Sequence, residues 1–439
     1  VSLLAYNFRQ TVSKDKDYRM KKEATCEVGY PTGFLNFDFT NGSVIHVKSE
    51  EKNLDFNYYS VGVTDGSIVT FIGRSSSGKT TLVAQMAANI VRPFKTSCIF
   101  EDSVEVGLTW SRRENLSGFH DVELIKRYVV RNEGVNAENF YKRIKMIHDM
   151  KIADPKKYTY DTGMLDNFGN PLSKLEPTIY ILDSIAMLMP ENLTESEEAA
   201  GNMAGAQAAK VITGIFRTIV PMLKSANIIL MTINHILDDP GAAMAKKKSS
   251  VAYLKQDETL PRGKTIIYVS NTMIRVDDVS KLKETEKYKF LGSIVDLTLV
   301  KSRTGGNKKT SMVFSQDKGF DPTMSLYLFL DQHGRVNGSG VGMYIDTHDK
   351  FKFSMANLKD KLNKNKDFEQ IFMKAAQEEL CKIPKLIFTN AEKEYAVSNN
   401  ILDMCMQVRP KMEEVLSEVD VAELQIDSAL NDDEEDYDL

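Results

Sequence analysis

Long apolar runs are missing from this chain of 439 residues. None reaches the ~20 residues that a membrane-crossing helix needs, which excludes a helical membrane protein. With 42% hydrophobic and 27% charged residues, the composition is that of a soluble globular chain. The amino end, from Val1 to Gln10, lacks the charged-then-apolar order of a secretory signal, so a cytoplasmic protein without membrane partners is expected. Cysteine is scarce as well. Cys26, Cys98, Cys381 and Cys405 are scattered with no metal-ligand spacing, which argues against a disulfide framework or a zinc site and for free thiols in a reducing compartment. Strong charge of either sign is also absent. A net charge of −5 leaves nucleic acid open as a partner, because binding depends on where basic residues cluster.

What is present is a complete phosphate-loop pattern. The apolar run Ile68 to Ile72 leads directly into Gly73, Arg74, Ser75, Ser76, Ser77, Gly78, Lys79 and Thr80, and Thr81 and Leu82 to Ile90 continue as a helix. A turn of small residues leaves backbone N–H groups to surround phosphate oxygens, and the helix N-terminus adds a favourable dipole. Lys79 is expected to neutralise the β- and γ-phosphates and the Thr80 hydroxyl to hold Mg²⁺.

From there to about residue 235, strands alternate with helical stretches, which predicts a doubly wound, mainly parallel α/β sheet. Thr96 to Phe100 reads as a buried strand that ends in Glu101, Asp102 and Glu105, any one of which could be a water-activating carboxylate. Asn136 to Met150 reads as a helix, and Asp154 to Pro177 as an inserted hairpin or surface loop. Thr178 to Leu182 is an apolar strand ending in Asp183, the expected second acid at the metal. A helix over about Met203 to Ser225 precedes the strand Asn227 to His235, and His235 ends at the ligand edge of the sheet. Ile236 to Arg262 shows no periodicity and carries Lys246, Lys247 and Lys248, which suit phosphate contacts or plain solvation. Strands resume near residues 272–276 and 294–300. The last eight residues hold six acids.

Taken together, these landmarks resemble the RecA family of strand-exchange recombinases, most closely its bacteriophage UvsX-like branch, over roughly residues 28–325. Pro31 to Asp38 is similar to the family's opening segment, Gly73 to Thr80 to its phosphate loop, Leu182 to Pro190 to its second nucleotide motif, and Leu223 to His235 to the strand before its second DNA-binding loop. The resemblance implies ATP and Mg²⁺ as cofactors, with Gly73 to Thr81 and Asp183 around the nucleotide and Thr80 and Asp183 at the metal. It makes His235 a sensor of the γ-phosphate and residues 191–203 and 236–262 the DNA-binding loops. Met203, Lys210, Arg217, Lys246, Lys247, Lys248 and Arg262 would then face DNA. Lys301 and Arg303 look like the basic pair that reaches a neighbouring subunit's ATP, as arginine fingers do. The family's catalytic glutamate lies two residues beyond the strand-ending acid, whereas one extra residue separates Asp102 from Glu105 here, so Glu105 is the expected base and Glu101 the fallback.

The expected organisation is an N-terminal arm and opening segment (1–58), a RecA-like phosphate-loop ATPase core (59–343), a mostly helical C-terminal domain (344–430) and an acidic tail (431–439). The expected function is DNA-dependent ATP hydrolysis in a homo-oligomeric helical filament on single-stranded DNA. Pairing with homologous duplex DNA and strand exchange would follow, aided by a single-strand-binding protein and a loader, in the host cytoplasm if the gene is phage-borne. The alternatives are a DnaB-type hexameric helicase and a nucleotide-binding regulatory or structural protein without DNA activity.

Overall fold

The computed structural model describes residues 28–49, 51–105, 107–166, 169–194, 202–238, 254–255, 258–261, 263–282, 292–302 and 308–384. Nine strands form the central sheet: β1 (Ile68–Gly73), β2 (Ile99–Ser103), β3 (Tyr128–Arg131), β4 (Thr178–Asp183), β5 (Ile228–His235), β6 (Thr272–Leu282), β7 (Gly292–Lys301), β8 (Lys309–Ser315) and β9 (Gly319–Asp321). Their order is β9-β8-β7-β6-β1-β5-β4-β2-β3. Every pairing from β6 across to β3 is parallel, and the three pairings among β6, β7, β8 and β9 are antiparallel. The molecule is thus a mixed α/β structure on a large, mostly parallel sheet, an architecture compatible with a RecA-like core.

The central strands are apolar on both faces, as a parallel sheet covered by helices requires. All six residues of β1 and of β4 are buried. Alternation sorts them between two layers. Val69, Phe71, Ile181 and Ile233 pack with Leu82, Met86 and Ile90 of the helix Lys79–Val91. On the other face, Ile68, Ile72, Tyr180 and Leu230 pack with Phe140 and Ile144 of the helix Ala137–Ala153 and with Ile212 and Phe216 of the helix Asn202–Ala226.

Several boundaries differ from the sequence expectations. The second strand runs Ile99–Ser103, so Glu101 and Asp102 are buried strand residues rather than its exposed end. The strand expected over 272–276, β6, is longer, extending to Leu282 along β7. The 154–177 insertion holds the expected hairpin, the antiparallel pair Thr159–Leu165 and Pro171–Leu175, and differs only in the short helix Pro155–Tyr158 before it. Beyond the sheet, the helices Leu358–Lys364 and Lys366–Leu380 bury Leu358, Phe368 and Phe372 in one cluster with Phe39 and with Leu330 of the helix Pro322–Gln332. Residues 385–439, including the acidic tail, lie outside the described residues.

Candidate functional site

The carboxyl ends of β1, β4 and β5 converge on one edge, where ligands collect in open α/β sheets. His235 stands opposite Gly73 and Asp183 opposite Ile233 in the ladder. From β1 the chain turns through Gly73 to Gly78 into the helix Lys79–Val91. Gly78 has φ 86°, a left-handed conformation that glycine adopts without a Cβ penalty. A Cβ on Gly73 would meet the carbonyl oxygen of Val276 at 2.4 Å, so only glycine lets the loop lie this close to β6. The helix begins without a side-chain cap at Gly78 and without an acid in its first turn. Its N-terminal N–H groups and dipole therefore suit an anion.

The Lys79 ammonium donates to the carbonyl oxygens of Gly73 at 3.0 Å and Arg74 at 2.7 Å, inside its own loop. Burial pushes its pKa down to about 8, against the pull of the Asp183 and Glu105 carboxylates. Thr80 Oγ1 donates to Asp183 Oδ2 at 2.7 Å, which joins the helix to the end of β4. Burial raises the Asp183 carboxyl above its usual range, the Thr80 hydroxyl opposes that, and Glu105 adds to it. A divalent cation would reverse this logic by favouring the carboxylate. Hydroxyl and carboxylate oxygens at this point match the hard donors that Mg²⁺ takes, so the residues fit a magnesium–nucleotide.

Glu105 lies two residues beyond the end of β2 and is turned back over the same edge. Its Oε1 accepts from Ser184 Oγ at 2.6 Å and lies 2.9 Å from His235 Nε2. Donor atoms of Glu105, Asp183 and His235 all fall within 4.8 Å of one another. The other two acids are committed elsewhere. Glu101 accepts from Tyr128 Oη at 2.6 Å and pairs with Arg113 at 2.5 Å, with both partners of that ion pair 3% exposed. Asp102 points to the opposite layer, where Tyr180 Oη donates to it at 2.5 Å and Arg143 pairs with it. Alternation along a strand sends the two side chains to opposite faces, so neither reaches the edge.

The sheet thus brings Lys79, Thr80, Asp183, Glu105 and His235 together. Other expected site residues stand apart. Lys210 and Arg217 are exposed on the helix Asn202–Ala226, whose opposite face buries Ala208, Ile212 and Phe216. Lys301 is paired with Met273 at the start of β6, toward the edge opposite the loop, and its ammonium donates to the carbonyl of Ile267. Arg303, Lys246, Lys247, Lys248 and Arg262 lie outside the described residues, as does the side chain of Met203. Sequence reasoning missed Ser184, whose hydroxyl fixes Glu105, although it directly follows the recognised Asp183. It also missed the ion pair of Arg74 with Asp238, 2.6 Å apart.

No family model matches the chain. Among curated proteins it is 22% identical to "Protein RecA" of Macrococcus caseolyticus (strain JCSC5402) over 304 residues, which span 69% of this chain and 70% of that protein. Sheet and sequence together point to a distant RecA relationship.

Proposed function

We propose that the protein is an ATP-dependent recombinase of the UvsX-like kind, which forms filaments on single-stranded DNA and promotes homologous pairing and strand exchange. The observation that carries this reading is the convergence of Lys79, Thr80, Asp183, Glu105 and His235 at one edge of a parallel sheet. The likeness to Protein RecA over 304 residues supplies its direction. Residues 73–81 would hold the triphosphate of ATP, with Thr80 and Asp183 at Mg²⁺ and Lys79 on the β- and γ-oxygens. Mg²⁺, held by Thr80 and Asp183, would supply neutralisation of the phosphate charge. Glu105 would take the proton from an attacking water, with Ser184 and His235 orienting its carboxylate. His235, touching Glu105 and opening segment 236–262, would couple hydrolysis to that segment and to its grip on DNA.

DNA contacts would come from segments 191–203 and 236–262 and from Lys210 and Arg217, and binding should weaken as salt rises. Lys301 and Arg303 would complete the site of a neighbouring protomer, so that hydrolysis depends on assembly. A single-strand-binding protein and a loader would act on the filament. The test is ATP hydrolysis with and without a single-stranded oligonucleotide, alongside electron microscopy with a non-hydrolysable ATP analogue. Stimulated hydrolysis abolished by Lys79→Ala, with helical arrays on DNA, is expected. Closed six-membered rings would favour the DnaB-type helicase, and hydrolysis indifferent to DNA would favour the regulatory reading.

A further inference from the structure

The segment between residues 236 and 262 leaves the sheet and returns to it at one place. Leu237–Asp238 pairs antiparallel with Glu258–Thr259, and Asp238 stands opposite Glu258. At the end of β5, Asn234 Nδ2 donates to the carbonyl of Pro261 at 2.8 Å. The two stems are joined in a short ladder, so a displacement of one is shared by the other.

Arg74, the second residue of the phosphate-loop pattern, lies across that ladder. Its guanidinium holds Asp238 Oδ1 at 2.6 Å and sits 3.8 Å from Glu258 Oε1. Glu258 is the anchor beneath, its side chain fully buried and its two oxygens accepting from Arg275 Nη1 and Nη2 at 2.7 and 2.9 Å. Arg275 in turn stands opposite Ile72, the residue before the loop. The two pairings differ in kind. Arg74 and Asp238 are each more than half exposed, at 51% and 59%, so water screens their attraction and the contact can break and re-form. Glu258 and Arg275 are buried together, and separating them would strand a charge. A fixed anchor and a labile clasp therefore meet at the edge of the phosphate loop. The pattern itself asks for no charge at Arg74's position.

We infer that Arg74 is a positioning residue that ties the phosphate loop to both stems of segment 236–262 through Asp238 and Glu258, passing nucleotide occupancy to that segment by a path separate from His235. This rests on the proposed nucleotide reading and deepens it. A triphosphate bound by residues 73–81 would offer the Arg74 guanidinium an anion that competes with Asp238. Redistribution of that one pairing loosens or shifts the ladder.

Hydrogen–deuterium exchange on the full chain tests it, following peptides over residues 236–261 with and without a magnesium-bound, non-hydrolysable ATP analogue. The analogue should change exchange in these peptides in the wild type. Asp238→Asn should shrink that change at least threefold, and Asp238→Glu, which keeps the charge, should retain it. A tie that is only structural would raise exchange in Asp238→Asn equally in both states and leave the difference intact. That result overturns the inference, as does a wild type that binds the analogue without any change in these peptides. Titration with a fluorescent ATP analogue separates the two ideas: no binding at all overturns the functional reading and the coupling together, whereas binding with unaltered coupling in Asp238→Asn overturns the coupling alone.

Discussion

Glu101, Asp102 and Glu105 stand close in sequence, and their surroundings separate them. Glu101 is locked against Arg113 and Tyr128, and Asp102 against Tyr180 and Arg143. A carboxylate already satisfied on both oxygens in a closed layer has no access to a water beside a phosphate. Glu105 keeps 35% of its side chain exposed and faces the site through His235 and Ser184. Two conservative substitutions should therefore fail in different ways. Glu105→Gln should lower the turnover of ATP by about 10²- to 10⁴-fold, the usual contribution of a general base, with the unfolding curve unchanged. Glu101→Gln should instead cost about 3–5 kcal/mol of stability in urea unfolding, because it leaves Arg113 charged and unpaired in a buried site. Equal loss of turnover in two well-folded variants would remove Glu105 from the role of base.

At the scale of single elements, the helix Ala137–Ala153 is fastened at its far end by Lys151, which is 4% exposed and donates to the carbonyl of Glu176 at 2.7 Å and to Thr178 Oγ1 at 3.1 Å. This pins the helix to the start of β4, the strand that ends in Asp183. Burial pushes the Lys151 pKa down from 10.5 to about 8. Between those two values the unfolded chain holds more protons than the folded one, so stability rises with pH across that window. The penalty is fully present below about pH 8 and is relieved as pH approaches 10.5. The gain is at most about 3 kcal/mol. Measured from pH 7.5 to 10, the unfolding free energy of the wild type should climb relative to that of Lys151→Met, which lacks this titration and keeps that of Lys79. The helix itself and β4 and β5 were legible in the sequence, because unbroken apolar runs and a period of 3.6 need no tertiary information. The edge strand Tyr128–Arg131 was not, since its four residues are buried only at Tyr128 and carry no run to detect. Lys79, Thr80 and Asp183 could be read from pattern and order. The pairing of Arg74 with Asp238 could not, because 164 residues separate two ordinary surface charges that only the sheet order brings together.

At the scale of the whole molecule, the residues proposed for the nucleotide stand at opposed ends of one sheet. The loop 73–78, Asp183 and His235 lie at the carboxyl ends of β1, β4 and β5. Lys301 ends β7, which runs antiparallel to β6, and so emerges beside Met273 and the carbonyl of Ile267. A straight strand cannot bring Lys301 back to its own loop, since Met273 is in register with Thr70, three residues before Gly73 along β1. If Lys301 acts on a nucleotide, it acts on that of another copy, and a head-to-tail contact repeats this along an open assembly. Lys79→Ala and Lys301→Ala should then each abolish DNA-stimulated hydrolysis alone, while an equimolar mixture of the two should regain activity. Random neighbours place an intact Lys79 against an intact Lys301 at about one interface in four, so about a quarter of wild-type turnover is the ceiling for statistical mixing of such heterologous contacts. A mixture as inactive as its components would confine the site to one chain and leave Lys301 to its contact with Ile267.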